Sequence, residues 1–530
     1  MSAEPSSGLT RAVGSMASGT VISRATGVLR VLVLAYVLGI SPLADSYNLA
    51  NTIPNMLYDV VLGGVLGATF IPVFIERLAK RSEREAWRSI SAVVTLAIIL
   101  LAGSTVIAFI AAPWIIQAFT LYNHIPSAMD SAQVEMQRQV ATNLLRWFTP
   151  QIFFYGLLSI GGALLNVRRR FGAPMWVPIA NNLVCIGVLL YFATIDPSPT
   201  LAGVAHSPSQ LALLGAGTTA GVVVQFLLLV PSLSRARLGL VRWRIDFHDE
   251  AVRAIMQLGS WTFGFVILNQ VALFVVLALA FGSGGSGPVS SYTYAYAFFQ
   301  MPYAVVAVSV MGAVTPELAS HHTLEQDDAF TQRFGTGLRA VLAIIIPSSI
   351  AMFVLARPVI ALLLGHGNAA AVETHQTGTV LAELSLGLVG FVVFQYVVRA
   401  MQAMRKAKEA FWLYMVENVL TVALALLLVK PLGLAGLALA VAVSYNISAV
   451  VGLVILHGWF GRLGSPGCYR PLIRVSIASA TMGISVLIIS NLSSALSGPA
   501  LFARVAFSII VGGLVYLGTI SLLARRTARR

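Results

Sequence analysis

AIMQLGSWTFGFVILNQVALFVVLALAFGSGGSGPVSSYTYAYAFFQMPYAVVAVSVMGAVTP, residues 254–316, contains no Asp, Glu, Lys or Arg. A helix needs about 20 apolar residues to cross the hydrocarbon core of a bilayer, so this stretch holds two crossings. The GSGGSGP turn at 282–288 divides them, since glycine allows tight reversals and proline suits the first turn of the next helix. The rest of the chain has the same character. Of its 530 residues, 57% are apolar and only 10% charged, with a mean hydropathy of +0.84. A soluble domain carries roughly 25% charged residues, so a polytopic membrane protein is the one class that fits.

Apolar runs bounded by charge or by Gly/Pro predict fourteen spans. They lie near 19–40, 46–75, 89–118, 140–166, 173–194, 209–234, 254–282, 288–316, 337–364, 376–403, 410–429, 433–459, 472–493 and 501–523. The first starts after a polar leader without the basic region of a signal peptide and already contains Arg24 and Arg30, so it reads as a retained span.

The net charge of +14 arrives in short clusters between spans, which points to membrane orientation rather than to nucleic acid. Turns following even-numbered spans hold Arg77, Lys80, Arg81, Arg84 and Arg88, then Arg168–Arg170, then Arg235, Arg237, Arg242, Arg244 and Arg253. Arg333, Arg339, Arg405, Lys406, Lys408, Arg462, Arg470 and Arg474 continue the series to the tail at Arg525, Arg526, Arg529 and Arg530. The odd turns and their flanks hold only Arg138, Arg146, Arg357, Lys430 and Arg504. The positive-inside rule therefore predicts cytoplasmic N- and C-termini. Cys185 and Cys468 imply no disulfide framework.

Spans one to six and seven to twelve read as a duplication. LLNVRRRFGAPMWVPIANNLV (164–184) corresponds to AMQAMRKAKEAFWLYMVENVL (400–420); Arg169 and Arg405, and Asn182 and Asn418, share one offset, 405 − 169 = 418 − 182 = 236. The second and eighth spans each carry a proline, Pro54 and Pro302. The expected fold is all-α: two six-helix lobes in a parallel pseudo-two-fold repeat, 1–245 and 246–462, with two further spans and a basic tail in 463–530. A bundle of this kind suits alternating access, its substrate path running between the lobes.

Charges inside spans are costly and by default mark a pathway. Arg24 and Arg30 lie in the first span, about 9 Å apart along a helix. Asp45 opens the second span, as an interfacial cap or as a functional group, and Asp59 lies deep within it. Glu383 and Arg399 lie in the tenth span. Pro54 with Gly63 and Gly64 is either a hinge or a packing feature. Glu417 beside Asn418, with Asn269 and Gln270, either assembles an oxygen-rich cation site or makes an interhelical hydrogen bond. There is no GxxxxGK[ST] loop, HExxH, GxSxG or paired Cys/His set, and His321-His322 has no partners at metal spacing. No enzyme, bound cofactor or resident metal is expected; Na⁺ or H⁺ is a candidate coupling ion.

SRATGVLRVLVLAYVLGISPLADSYNLANTIPNML (23–57) followed by GATFIPVF (67–74) resembles the MurJ/MviN family of lipid II flippases, within the multidrug/oligosaccharidyl-lipid/polysaccharide exporter superfamily. Ser23, Arg24, Gly27, Arg30, Gly39, Asp45, Ile53, Pro54, Asn55, Phe70, Pro72 and Phe74 match its pattern. TPELAS (315–320), ARPVIALLLGHG (356–367), the fourteen-span count and the added final pair also look like it, and the Ala/Gly/Arg-rich composition is similar to that of actinobacterial relatives. The resemblance implies movement of undecaprenyl-pyrophosphate-linked disaccharide-pentapeptide between leaflets for peptidoglycan synthesis, in the plasma membrane, with cell-wall synthesis proteins as partners and no nucleic acid. It also implies a headgroup cavity in which arginine holds the pyrophosphate.

The chain departs from the family where Tyr58 and Asp59 replace two arginines, where Gly63 replaces a Glu, and where Tyr294-Ala295-Tyr296-Ala297…Gln300 replaces a segment bearing Asp, Arg and Glu. The expected headgroup residues are therefore Arg24, Arg30, Asp45, Asn55, Tyr58, Asp59, Tyr294, Tyr296 and Gln300. The alternatives are an exporter of drugs or of another polyprenyl-linked glycolipid, or a non-transporting wall-synthesis scaffold.

Overall fold

The computed structural model describes residues 6–63, 70, 74, 82–122, 131–168, 170, 172–236, 243–369, 371–463, 469–491 and 498–528. Among these residues the regular structure is entirely helical. The chain divides into two compact units, Met1–Phe274 and Val275–Arg530.

The first unit contains α1 (Ser6–Leu38), α2 (Pro42–Tyr58), α3 (Glu83–Phe119), α4 (Ser131–Phe148), α5 (Pro150–Val167), α6 (Gly172–Ile195), the short α7 (Leu201–Ala205), α8 (Pro208–Ser234) and most of α9 (Glu250–Phe281). Local signals set the starts. Ser41 caps α2 by accepting from the Ala44 amide at 3.2 Å, and Pro42 occupies the first turn, where a missing N–H costs nothing. Ser207 and Pro208 repeat the device at α8. Gly221 lets α8 approach α6 closely, since a Cβ there would lie 2.5 Å from the Asn181 Oδ1, an arrangement typical of small residues between membrane helices. The unit extends beyond residue 245 because Ala251, Val252 and Ile255 of α9 pack into the cluster built on Trp87, Ile90 and Val93 of α3.

The second unit holds α10 (Pro288–Phe299), α11 (Val308–Thr323), α12 (Asp327–Leu364), α13 (Ala371–Ser385), α14 (Leu388–Ala403), α15 (Ala407–Phe460), α16 (Tyr469–Asn491) and α17 (Pro499–Ala528). Helices α13 and α14 are bent by 49° around Gly387, where a Cβ would meet the Ala442 backbone at 2.5 Å. Met482 and Val486 of α16 pack with Leu355 of α12.

Eleven helices among the described residues are long and apolar enough to cross a membrane, twelve if the bent α13–α14 pair is one span. Two features connect that count with the fourteen expected. Helix α15 has 54 residues, about 80 Å at 1.5 Å per residue, well over twice a hydrocarbon core. It breaks at Gly433 (φ 57°, ψ −135°), the first residue of the second of the two spans expected there. The second expected span begins as α2, and much of its continuation lies outside the described residues. The exterior is apolar: Ile107, Ile110 and Trp114 on α3 are 60–67% exposed, and Ile510, Leu514 and Leu517 on α17 are similar. Such faces suit lipid rather than water.

The two corresponding spans share a backbone feature. The segment after Pro54 widens into a π-helical turn at Asp59–Gly63, and Pro302 is followed at once by another at Tyr303–Ala307. Such turns are rare and concentrate at functional sites, and here each sits after the proline of a matched span.

Candidate functional site

Each unit carries its own polar cluster within its spans. In the first, Arg30 of α1 is half-buried and hydrogen-bonded to the Tyr47 hydroxyl of α2. Tyr47 is fully buried, braced edge-on by Phe148 at 5.5 Å, and its hydroxyl lies 2.8 Å from Thr218 Oγ1 of α8. Thr218 donates its own proton to the Leu214 carbonyl at 2.7 Å. That leaves Thr218 as acceptor, so Tyr47 donates to Thr218 and receives the guanidinium proton on its oxygen. The chain Arg30→Tyr47→Thr218→Leu214 therefore has one direction and fixes the arginine.

Tyr155 of α5 neighbours Arg30 and hydrogen-bonds Asn55, whose Nδ2 donates to the Asn51 carbonyl at 3.1 Å. Tyr58 bonds Ser159 and sits 6.0 Å, ring to ring, from Tyr155. Asp59 Oδ2 accepts from Gln270 Nε2 of α9 at 3.2 Å. Residues 55, 58 and 59 share one face of the helix by their spacing. The structure thus gathers Arg30, Asn55 and Tyr58 around Tyr155, with Asp59 adjoining.

Asp45 is fully buried in the first turn of α2, where its charge favours the helix dipole. It lies ten residues, about 15 Å, up the helix from Asn55. Arg24 is exposed. Asn182 instead joins the helices, donating to the Ser23 carbonyl at 3.2 Å and to Thr26 Oγ1 at 3.0 Å. Pro54 lies within continuous α2 and Gly63 closes the π-helical turn; Gly64 lies outside the described residues.

In the second unit, Glu417 of α15 is 3% exposed, and its Oε1 accepts from Thr421 Oγ1 at 3.0 Å. Tyr292, Tyr296, Tyr414 and Tyr445 are its electrostatic neighbours. Tyr292 and Tyr296 stack at 5.9 Å and 13°, and Tyr296 hydrogen-bonds Gln300 and Tyr445. Tyr303 and Tyr445 both pack edge-on to Phe391, at 4.8 and 4.9 Å. Tyr294 is buried on the same helix. The result is one carboxylate inside an aromatic box, an arrangement suited to a proton or a desolvated cation. Asn418 turns to its own helix, donating to the Tyr414 carbonyl at 2.8 Å, and Asn269 belongs to α9 in the first unit. Among the described residues no cluster of three His, Cys, Asp or Glu is placed to hold a metal ion.

Tyr47, Tyr155, Ser159 and Thr218 in the first unit, and Thr421, Tyr414 and Tyr445 in the second, escape the sequence reading. Thr421, one helical turn beyond Glu417, had a usable signal. Tyr414, one turn before Glu417, had the same local signal; the others are common residue types whose partners lie far away in sequence.

Between spans, the basic turns find local partners. Arg168 pairs with Glu83 at 2.9 Å and lies over the Trp87 ring at 5.5 Å. Arg244 hydrogen-bonds Asp246 at 2.8 Å and holds that carboxyl below its ordinary range, helped by the His248 amide.

A family sequence model described as lipid II flippase MurJ matches residues 34–507. A probable lipid II flippase MurJ of Haemophilus influenzae is 24% identical over 522 residues, covering 96% of this chain and 98% of the relative. A lipid II flippase MurJ of Burkholderia cenocepacia is 24% identical over 467 residues, covering 87% of this chain and 85% of the relative. Among solved structures, a lipid II flippase MurJ in an inward closed conformation superposes with a TM-score of 0.76 at 20% identity, covering 97% of this chain and 99% of the other. An inward-facing multidrug resistance MATE family transporter of the MOP superfamily gives 0.65 at 17% identity, covering 83% and 95%. At these identities the superpositions establish the fold.

Proposed function

The chain belongs to the lipid II flippase MurJ family, and on that premise we propose that it carries lipid II from the cytoplasmic to the outer leaflet of the plasma membrane. The carrier makes and breaks no covalent bond in this role. The headgroup must leave one aqueous face and reach the other without entering hydrocarbon, which alternating access achieves. The basic turns orient the protein with both termini in the cytoplasm, and an ion gradient or the membrane potential drives the cycle.

The observation that carries this reading is Arg30, a cation inside a spanning helix and oriented by Tyr47. A central arginine costs about 2.5–3.5 kcal/mol on insertion scales, and an anionic pyrophosphate would offset that cost. Asn55, Tyr58 and Tyr155 extend the polar surface beside it, and Tyr58 stands where the family resemblance leads one to expect an arginine. In the second unit, Glu417 is the group proposed to hold the coupling proton or cation.

Depletion in the native host, followed by assay of labelled lipid II on the outer leaflet, tests the proposal. Loss of exposure with accumulation on the inner leaflet is the expected result. Unchanged exposure would assign the chain to a different lipid-linked substrate.

A further inference from the structure

The turn between α8 and α9 presents an apolar face. Trp243, Ile245 and Phe247 are 74%, 66% and 66% exposed, and they alternate with the half-buried Arg244 and Asp246. Those two pair with each other at 2.8 Å. Residues at i and i+2 share one face of an extended chain, so the three apolar side chains share the other. The polar face is pinned to α3: the Arg244 amide donates to Thr95 Oγ1 at 3.2 Å, and Ser89 Oγ donates to Asp249 Oδ2 at 3.0 Å. Asp249 Oδ1 accepts the Ala251 amide at 2.8 Å, capping the start of α9. The His248 amide closes onto Asp246 Oδ1 at 3.0 Å. These polar contacts run to α3, to α9 or within the segment, and leave the apolar face turned outward.

Thr95 fixes the direction and the depth of this face. It is 2% exposed, whereas Ile99, one turn further along the same face of α3, is 43% exposed. The segment therefore lies over the stripe of α3 that faces lipid further on. Exposed apolar residues of α3 run from Ile99 to Trp114, about 22 Å at 1.5 Å per residue. A hydrocarbon core is about 30 Å thick, so a core centred on this run ends about 4 Å beyond Ile99. Thr95 lies about 6 Å beyond it, at the boundary where tryptophan side chains gather. This is the end of α3 that the basic turns assign to the cytoplasm.

We propose that residues 243–247 form an interfacial strap, which seats Trp243, Ile245 and Phe247 at the boundary between acyl chains and headgroups of the cytoplasmic leaflet. The strap continues the lipid-facing surface of α3, so the occupant of its apolar face is the bilayer and not a cytoplasmic protein. At that depth the indole ring enters the apolar layer while its N–H stays among the headgroups. The exposed Arg235 and Arg253 flank the strap with charges that suit lipid phosphates. The strap is independent of the cargo carried.

The test places one nitroxide at a time on the full chain, in a Cys185→Ala/Cys468→Ser background, in vesicles of phosphatidylcholine and phosphatidylglycerol. Two references set the scale. Glu85→Cys, at an exposed site about 15 Å along α3 from Thr95 toward the cytoplasm, marks water; Ile107→Cys, at a site 67% exposed, marks lipid. Labels at Ile245→Cys and Phe247→Cys should give a ratio of oxygen to nickel-chelate accessibility at least fivefold above that of Glu85→Cys. Trp243 supplies a second reading with the native cysteines in place. The emission lost in Trp243→Tyr should fall by about half or more in phospholipid brominated near the top of its acyl chains. A ratio equal to that of Glu85→Cys, with the Trp243 emission unquenched, would put the face in water and overturn the strap. Low access to both oxygen and nickel would put it against protein, and would overturn the strap as well.

Discussion

The Tyr516 hydroxyl donates a 2.6 Å hydrogen bond to the Ala343 carbonyl, the acceptor that would normally receive the amide of residue 347. Residue 347 is proline and has no N–H to give. In lipid every backbone polar group needs an internal partner, so α17 supplies from its side chain what α12 lacks in its backbone. This bond also joins the final helix to the second unit, beside the packing of Tyr516 on the Leu355–Met482–Val486 cluster.

Tyr516→Phe keeps the ring and removes the donor. The expected cost is about 1–3 kcal/mol, that of leaving a desolvated carbonyl unpaired. The variant should unfold at lower temperature in detergent, and Pro347→Ala should restore most of the loss by returning the backbone donor. Equal melting of Tyr516→Phe and the wild type would show that the carbonyl finds another partner.

Arg30→Ala should abolish complementation of a depleted host while the protein remains folded in the membrane. Tyr47→Phe tests orientation separately from charge, because it keeps the guanidinium but removes its acceptor and the link to Thr218. A hydrogen bond to a charged group contributes about 1.5–3 kcal/mol, so transport in vesicles should fall by about tenfold or more. Full activity of Tyr47→Phe would mean that Arg30 is positioned by packing alone.

The ion pair Arg244–Asp246 makes a pH prediction outside the spans. The carboxyl is held below its ordinary value, first by Arg244, so the folded state binds this proton less readily than the unfolded chain. Its stabilising effect is present above the unfolded value of about 3.9 and fades as the pH falls through the folded value. Asp246→Asn should therefore melt slightly earlier than wild type at pH 7, with the difference shrinking below about pH 4. A difference that grows in acid would reverse the sign.

Long apolar runs made the membrane architecture legible, because they follow directly from the thickness of the bilayer. The paired prolines, Pro54 and Pro302, were legible too. The π-helical turns beyond them were not, since nothing in DVVLG or YAVVA specifies an extra residue per turn. The site was partly readable: Arg30 and Glu417 stand out as charges among apolar residues. Tyr47 does not, because its role depends on Thr218, 171 residues away, and no local pattern records that contact. Asp45 and Arg24 carry the same kind of signal as Arg30, a charge in or at a span; among the described residues it is Arg30 that meets Tyr47 and Tyr155.

Glu417 separates structural need from ion coupling. Its carboxylate is almost wholly buried and, among the described residues, has one close donor, Thr421, so an ionised side chain there is expensive unless a cation or proton accompanies it. Glu417→Gln preserves size and can still accept from Thr421, and should fold normally. If the carboxylate takes up the driving ion, this variant should move lipid II at the same slow rate with or without an imposed Na⁺ or pH gradient, while the wild type speeds up in one of them. Glu417→Ala should also lose stability, by about 1–3 kcal/mol for the packing and hydrogen bond removed. A Glu417→Gln variant that still responds fully to the gradient would place coupling elsewhere and leave Glu417 a structural hydrogen-bond acceptor.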